Sequence, residues 1–372
     1  MEKKDFDIKK IIGHFAIDGA FVSAEPYGNG HINDTFAVSF TNGRIMPPYA
    51  AALTDAPFKR ALMQRINQNV FKEPGKLMEN VDKVTRFLKD KIVLKGGDYL
   101  RETLNLIPTR DGGCFYLDQG GNYWRVYLFI ENCDSYEIVK SGGQMYKAGR
   151  AFGNFQKLLS DFPAHLLHES IPNFHHTPKR YETFLDALKQ DKCGRAKDVE
   201  KETAFIKNRK DDCRRVQDLI DAGDLPLRVT HNDTKINNVM FDSDTKQPVC
   251  VVDLDTIMPG SMLFDFGDSV RFGANPAAED ERDLSKVYFK SDYYDEFRRG
   301  FTAELGDSMT ELENRLLPMG AKLMTLENGI RFLTDHLNGD VYFKIHRPYQ
   351  NLDRARTQFK LVEGMEEYFG NI

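Results

Sequence analysis

The chain has 372 residues, long enough for two modest cores, and its 51 Lys and Arg against 56 Asp and Glu leave a net charge of −5. That balance lacks the basic field that nucleic acid or an anionic membrane surface demands, so neither is expected as a partner, and small-molecule chemistry is favoured. Cys114, Cys133, Cys193, Cys213 and Cys250 are scattered and never spaced C-x-x-C, which argues against a disulfide framework or a zinc site and reads as buried, reduced thiols. The charged start Met-Glu-Lys-Lys-Asp-Phe and the lack of any run of about 18 apolar residues give a cytoplasmic expectation.

In chain order, the first third is mostly strand. Phe36, Val38 and Phe40 alternate onto one face, and Tyr123 to Ile130 is a longer β-prone run. Between them the spacing predicts one helix over 76–91, where Leu77, Val81, Val84 and Leu88 recur at three- and four-residue intervals behind a Pro-Gly start. The stretch from Thr41 to Pro57 reads as an irregular insertion. From about Gly142 the periodicity turns helical, with helices predicted over 144–159, 179–190, 198–222, 312–337 and 352–369. Short β segments are confined to 227–231 and 239–255. The plan is α+β and bilobal: residues 1–131 form a sheet-rich lobe for a nucleotide, and residues 132–372 form a mainly helical lobe for catalysis and the second substrate.

The chemistry concentrates in His231-Asn232-Asp233-Thr234-Lys235-Ile236-Asn237-Asn238, followed by an apolar strand, a polar turn over 243–248, and a second apolar strand ending in Asp253-Leu254-Asp255. A hairpin centred on that turn pairs Ser243 with Pro248 and sets Asn238 opposite Asp253. An amide oxygen and a carboxylate are a sensible half-site for Mg²⁺, which fills its octahedron with phosphate oxygens and water. Asp255 shares the strand face of Asp253 and is a third ligand or an orienting carboxylate. Asp233, in the tight loop beside this site, is the base expected for a phosphoryl acceptor; Lys235 is the counter-charge for the moving group, and His231 braces the loop. An acidic surface hairpin would explain a lone H-x-D, but not H-x-D-x-x-x-x-N followed by a strand ending in D-x-D.

These residues resemble the aminoglycoside phosphotransferase and choline kinase superfamily, whose H-x-D-x(4)-N and following strand aspartate match His231, Asp233, Asn238 and Asp253. The resemblance implies a protein-kinase-like bilobal fold that uses ATP and Mg²⁺. It extends over most of the chain to one branch, the N-acetylhexosamine 1-kinases. This second likeness rests on Tyr-Gly-Asn-Gly-His-Ile-Asn near residue 30, Leu-Arg-Val-Thr-His-Asn-Asp-Thr-Lys, the run from Val252 through Asp268, and Arg-Phe-Leu at 331–333. It implies phosphorylation of the anomeric hydroxyl of N-acetylglucosamine or N-acetylgalactosamine, with His31, Arg331 and Tyr342 at the sugar. Asp265, in a D-F-G string that tempts one to place the metal there, is expected instead to hydrogen-bond the catalytic loop.

The turn Tyr27 to Asn33 holds Gly28 and Gly30 but no third glycine and no following helix, so it is not a dinucleotide fold. Gly28, Gly30 and Asn33 are assigned to nucleotide phosphates, with a plain hairpin turn as the bland alternative. Glu131, closing Phe129-Ile130-Glu131 where sheet gives way to helix, is assigned to the nucleotide on topology. No V-A-I-K string is present, and Lys59, Arg60 and Arg65 are equal choices for the phosphate-binding cation. Two other functions stay open: a kinase of the same fold acting on choline, homoserine or an aminoglycoside, against whose cationic forms Arg331, Lys344 and Arg347 argue, and a non-catalytic nucleotide-binding regulator.

Overall fold

The computed structural model describes residues 6–28 and 32–370. Chain contacts divide them into two compact units. One takes the described residues up to Asp134 with His165–Ile171 and Phe241–Ile257; the other takes Ser135–Ala164, Pro172–Met240 and the chain from Met258.

The first unit begins with α1 (Ile8–Ile12), β1 (Ile17–Pro26), β2 (Asp34–Ile45), β3 (Phe58–Arg65), α2 (Pro74–Leu94), α3 (Tyr99–Glu102), β4 (Tyr116–Leu117), β5 (Tyr123–Leu128) and β6 (Cys133–Asp134). Five of these strands form an antiparallel sheet in the order β1-β2-β3-β5-β4. Alternation works as expected: Val38, Phe40, Ala61, Met63, Trp124, Val126 and Leu128 fill one core, which places Gln64, Arg125 and Tyr127 on the other face. β2 continues through Ile45 with a bulge between Ser39 and Gly43, so the irregular segment starts later than Thr41, and it contains a 3₁₀ turn at Tyr49–Ala51. α2 opens on Pro74, whose missing N–H costs nothing in a first turn, and buries Leu77, Val81, Val84 and Leu88. From its inner face Asn80 donates to the carbonyls of His168 and Ile257 (2.8 and 3.0 Å), pinning the chain just beyond Asp255.

The second unit contributes α4 (Gly142–Leu158), α5 (Thr177–Gln190), α6 (Glu200–Lys207), α7 (Lys210–Asp221) and β7 (Arg228–Thr230). The helix predicted over 198–222 is two helices, because the chain breaks at Asn208 and Arg209, where Arg209 leaves helical ψ before α7 starts. After β8 (Val239–Asp242) and β9 (Pro248–Val251), which join β6 in a three-stranded sheet, come β10 (Met258–Gly260), α8 (Met262–Gly273), α9 (Ser291–Leu305), α10 (Glu311–Leu337) and α11 (Gln350–Phe369). α9 was not anticipated: Gly300 and its aromatic residues dilute helix propensity, yet Tyr293, Phe297, Phe301 and Leu305 line one buried stripe against α4. α10 starts with a capping box, Thr310 and Glu313. Glu313 also takes two hydrogen bonds from Arg228 (2.6 and 2.8 Å), fixing this long helix to β7. α8 crosses α10 so closely that a Cβ on Gly267 would stand 2.2 Å from the Gly320 carbonyl oxygen. Only glycine permits that approach.

All five cysteines are free. Cys213 and Cys250 are buried as expected, whereas Cys193 is exposed and Cys114 and Cys133 are partly so, which corrects the reading of all five as core thiols. Among the described residues no helix is long and apolar enough to cross a membrane.

Candidate active site

β7 pairs with β10 through Thr230 opposite Met258, and the chain then leaves the ladder at His231. The next residue, Asn232, has φ +66°, a left-handed conformation that asparagine tolerates and most side chains resist. It is held there from several sides. Asp265, in the first turn of α8, accepts from the backbone N–H of His231 (2.9 Å) and of Asn232 (2.7 Å) and from Gln156 Nε2 (2.6 Å). Thr234 donates to the Asp265 carbonyl, and Ser269 donates to the Thr234 carbonyl (2.8 Å). Burial pushes the Asp265 carboxyl up, against these donors and the nearby His231. Asp265 therefore makes the bonds to the loop that were expected of it, and the His231 ring packs edge-on to Phe152 and Phe155.

Asp233 and Lys235 face each other at 2.9 Å with side chains 30 and 34% exposed. Burial raises the Asp233 carboxyl, but the Lys235 ammonium together with His231 and Arg271 outweighs it and leaves the group below the usual carboxylate range; Asp233 in turn raises Lys235. A carboxylate so depressed is a weak base. It suits a reaction in which the acceptor hydroxyl is aligned first and gives up its proton late. Asn238, in the 3₁₀ turn that closes the loop, donates Nδ2 to the Asp233 carbonyl (2.8 Å). That bond fixes the amide's orientation and leaves Oδ1 as its free end for a hard cation.

The second acid-bearing segment belongs to the first unit. The hairpin turn closes between the Asp242 N–H and the Gln247 carbonyl (2.9 Å), one residue earlier on each strand than the expected Ser243–Pro248 pairing. β9 then ends at Val251, and Asp253 stands in a left-handed turn at φ +62° before a 3₁₀ turn, Leu254–Thr256. A flat ladder therefore does not carry Asn238 across to Asp253, and the expected register is corrected. The turn keeps the expected length but lies one residue earlier in the chain, with Lys246 in the left-handed conformation (φ +54°) at its end. Asp255 is not a spare ligand either. Its Oδ1 pairs with the buried guanidinium of Arg125 and its Oδ2 accepts from Asn33 Nδ2 (2.6 Å). Arg125 also donates to Gln64 (2.9 Å). Burial works against its charge, but Asp255 and Asp253 hold it protonated beyond the usual arginine range. Nothing in the motif announces Arg125; it lies 130 positions away in sequence, inside a β-prone run.

Gly28 has φ +77° with open space where a side chain would be, and Gly30 and His31 lie outside the described residues. Asn33, assigned to the nucleotide, engages both ends of its amide within the unit: besides Asp255, its Oδ1 accepts from the Asn67 N–H (3.0 Å). Glu131 accepts from Arg60 Nε (3.1 Å), and the same guanidinium lies over the Phe129 ring at 3.8 Å. Arg65 pairs with Asp34 (2.7 Å), which leaves Lys59 exposed on the strand. Among the described residues no three His, Cys, Asp or Glu side chains gather as a metal-binding group.

In the second unit a cavity of about 180 Å³ is lined by Arg180, Arg331, Thr334, Asp335 and Tyr342, among others. It brings together the two residues assigned to the acceptor, Arg331 and Tyr342. It also adds Arg180, which sequence reasoning missed. Among the described residues neither guanidinium sits in an ion pair: Arg180 donates to the Phe174 carbonyl (2.9 Å) and Arg331 to Asn328 (3.3 Å), while the buried Glu327 carboxylate attracts both. The acid in the wall is already occupied, since Asp335 accepts from the N–H groups of Val341, Tyr342 and Phe343 and from Asn351 (2.8 to 3.0 Å). Burial and Arg331 both lower Arg180. Arg347 pairs instead with Asp280 and Asp353, and His336 with Arg195.

Comparison with known proteins agrees with this architecture. A microcompartment-associated aminopropanol kinase superposes with a TM-score of 0.61 at 15% identity over 96% of this chain and 95% of that one. An aminoglycoside phosphotransferase from Alicyclobacillus acidocaldarius subsp. acidocaldarius gives 0.63 at 10% identity, over 99 and 97%. A choline kinase from Cryptosporidium parvum gives 0.52 at 14%, over 95 and 90%. At these identities the likeness speaks to the fold, a protein-kinase-like α+β architecture. Residues 110–299, about half of the chain and the stretch holding the whole His231 to Asp255 segment, match the family model of phosphotransferase enzymes, and the chain belongs to that phosphotransferase enzyme family.

Proposed function

We propose that the protein is a kinase that uses Mg·ATP to phosphorylate the anomeric hydroxyl of an N-acetylhexosamine, N-acetylglucosamine or N-acetylgalactosamine, giving the sugar 1-phosphate. The observation that carries the phosphoryl-transfer part is the loop itself: Asp233 paired with Lys235 at 2.9 Å, and Asn238 tied to the Asp233 carbonyl, within a chain of this family. Asp233 aligns the acceptor hydroxyl and takes its proton late, and Lys235 offsets the negative charge that gathers beside it. The oxygens of Asn238 and Asp253 would hold the metal, a donor set that fits Mg²⁺. Mg·ATP, when bound, supplies the transferable phosphoryl group and part of the charge neutralisation. The Gly28–Gly30 turn is assigned to its phosphates, with Asn33 bracing the turn, and the segment ending at Glu131 to its base. The 1-hydroxyl of a hemiacetal is more acidic than an ordinary alcohol, which suits a weak carboxylate base.

The sign of the cavity supports the acceptor class. Arg180 and Arg331 present two guanidiniums that form no ion pair among the described residues, and the carboxylate that acts on both, Glu327, contacts His175; a cation about 8 Å from each guanidinium would lose about 2 kcal/mol per contact at an effective dielectric near 20. Choline, amino alcohols and aminoglycosides carry such a cation; an N-acetylhexosamine is neutral and offers a carbonyl oxygen and hydroxyls to Arg331, Tyr342 and, from the glycine turn, His31. The test is ATP consumption over a panel of N-acetylhexosamines, plain hexoses, choline, ethanolamine and homoserine, with ³¹P NMR of the product. Phosphorus coupled to an anomeric proton is the expected result; turnover of the amines alone, or of nothing, overturns the proposal.

A further inference from the structure

His175 precedes α5 and belongs to no recognisable motif, yet it is buried against the catalytic loop. Its Nδ1 lies 2.8 Å from Glu327 Oε1, and its Nε2 lies 3.1 Å from the backbone carbonyl oxygen of Asn232, the residue before Asp233. Both partners can only accept, so both ring nitrogens must carry a proton, unless the carboxyl itself is protonated. The surroundings favour the carboxylate. Thr177 donates its hydroxyl to the other Glu327 oxygen (2.6 Å), and although burial pushes the Glu327 carboxyl up, His175, Arg331 and Thr177 together hold it below the usual range. A buried carboxylate beside a buried imidazolium is the arrangement in which each offsets the other's desolvation. The ring is clamped in its plane by Phe174 at 4.5 Å and Phe264 at 5.4 Å.

This ring joins two parts of the second unit. Glu327 is on α10, one turn before Arg331 and next to the Asn328 that Arg331 contacts. At the other end, Asp265 and the Thr230 carbonyl take the N–H and the Nδ2 of left-handed Asn232, and its carbonyl oxygen faces His175. We propose that His175 is a positioning residue: a doubly protonated ring, charge-paired with Glu327, that fixes the peptide in front of Asp233 and ties it to the helix lining the acceptor cavity. The inference rests on Asp233 being the base, but not on the identity of the acceptor.

Two measurements test it. In the ¹⁵N-histidine spectrum of the full chain, with His175 assigned by its loss in His175→Gln, both ring nitrogens are expected at imidazolium shifts at neutral pH. A neutral tautomer there overturns the proposal whatever the substrate proves to be. Turnover is then read as ATP hydrolysis with Mg·ATP alone, which needs no acceptor. His175→Gln and Glu327→Gln are each expected to lower kcat about 10- to 100-fold with KM for ATP within about twofold, the scale of a misplaced reacting group. An unchanged kcat in either folded variant, or a loss confined to KM, overturns it. Failure of every sugar in the panel would sink the proposed acceptor while leaving both of these readouts intact.

Discussion

The loop around Asp233 and the turn around Asp253 each turn on a left-handed residue, Asn232 and Asp253 respectively, yet they are braced by opposite means. In the second unit the brace is a carboxylate: Asp265 gathers N–H groups from His231, Asn232 and Gln156. In the first unit it is a cation: Arg125 gathers Asp255 and Gln64. A loop whose own N–H groups point inward needs an acceptor at its centre, whereas a turn crowded with two carboxylates needs a positive charge to be buried at all. The difference teaches that the phosphotransferase motif is held by groups outside it, and that each can be removed separately.

The largest effect should come from the loop. Asp233→Asn keeps the shape and removes the proposed proton acceptor, and turnover is expected to fall on the order of 10²–10⁴-fold with an almost unchanged melting temperature. A folded variant with near-normal turnover would take Asp233 out of the mechanism. Next is the cationic brace. Arg125→Met leaves Asp255 buried beside Asp253 without its counter-charge, with an expected loss of about 3–5 kcal/mol in denaturant unfolding; the double variant Arg125→Met with Asp255→Leu should recover much of it. If the single and double variants are equally unstable, the pair is not the brace.

Asp265→Asn, which exchanges one acceptor oxygen for a donor facing backbone N–H groups, should cost about 1–3 kcal/mol and lower kcat with it. Stability lost without kcat would separate Asp265 from the loop's geometry. A pH profile sharpens the electrostatic side. Because Asp233 is depressed in the folded protein, its pairing with Lys235 stabilises the fold above the unfolded carboxylate value of about 3.9 and is lost as pH falls through the lower folded value. Lys235→Met should therefore move the acidic limb of the rate profile upward; an unmoved limb would mean that another group sets it. The smallest effect belongs to the half-exposed Arg60–Glu131 pair: Arg60→Ala should change stability by less than about 1 kcal/mol, which a melt resolves.

Much of this was legible in the sequence wherever the signal is local. Helix periodicity located α2, α4, α5, α10 and α11 to within a few residues, because each buries a stripe at three- and four-residue spacing. It failed for 198–222, where one apolar pattern spans a break at Asn208 and Arg209, and for α9, whose glycine and aromatics hide a real stripe. The strand residues that flank the expected metal-ligand pair were recognised, but their register was not, since the turn, with Lys246 left-handed at its end, closes one residue earlier in the chain.

By itself, then, the sequence determined the α+β plan and the compact loop from His231 to Asn238, because these depend on near neighbours and on fixed spacing; the bracing by Asp265 was implied only by the family resemblance. Tertiary structure alone decided which distant side chains serve that loop. Arg125 reaches Asp255 across 130 positions, Glu327 reaches His175 across 152, and Arg180 meets Arg331 in one cavity. A buried charge needs a partner, but nothing in its sequence neighbourhood says which of many acids or bases the packed core will bring to it.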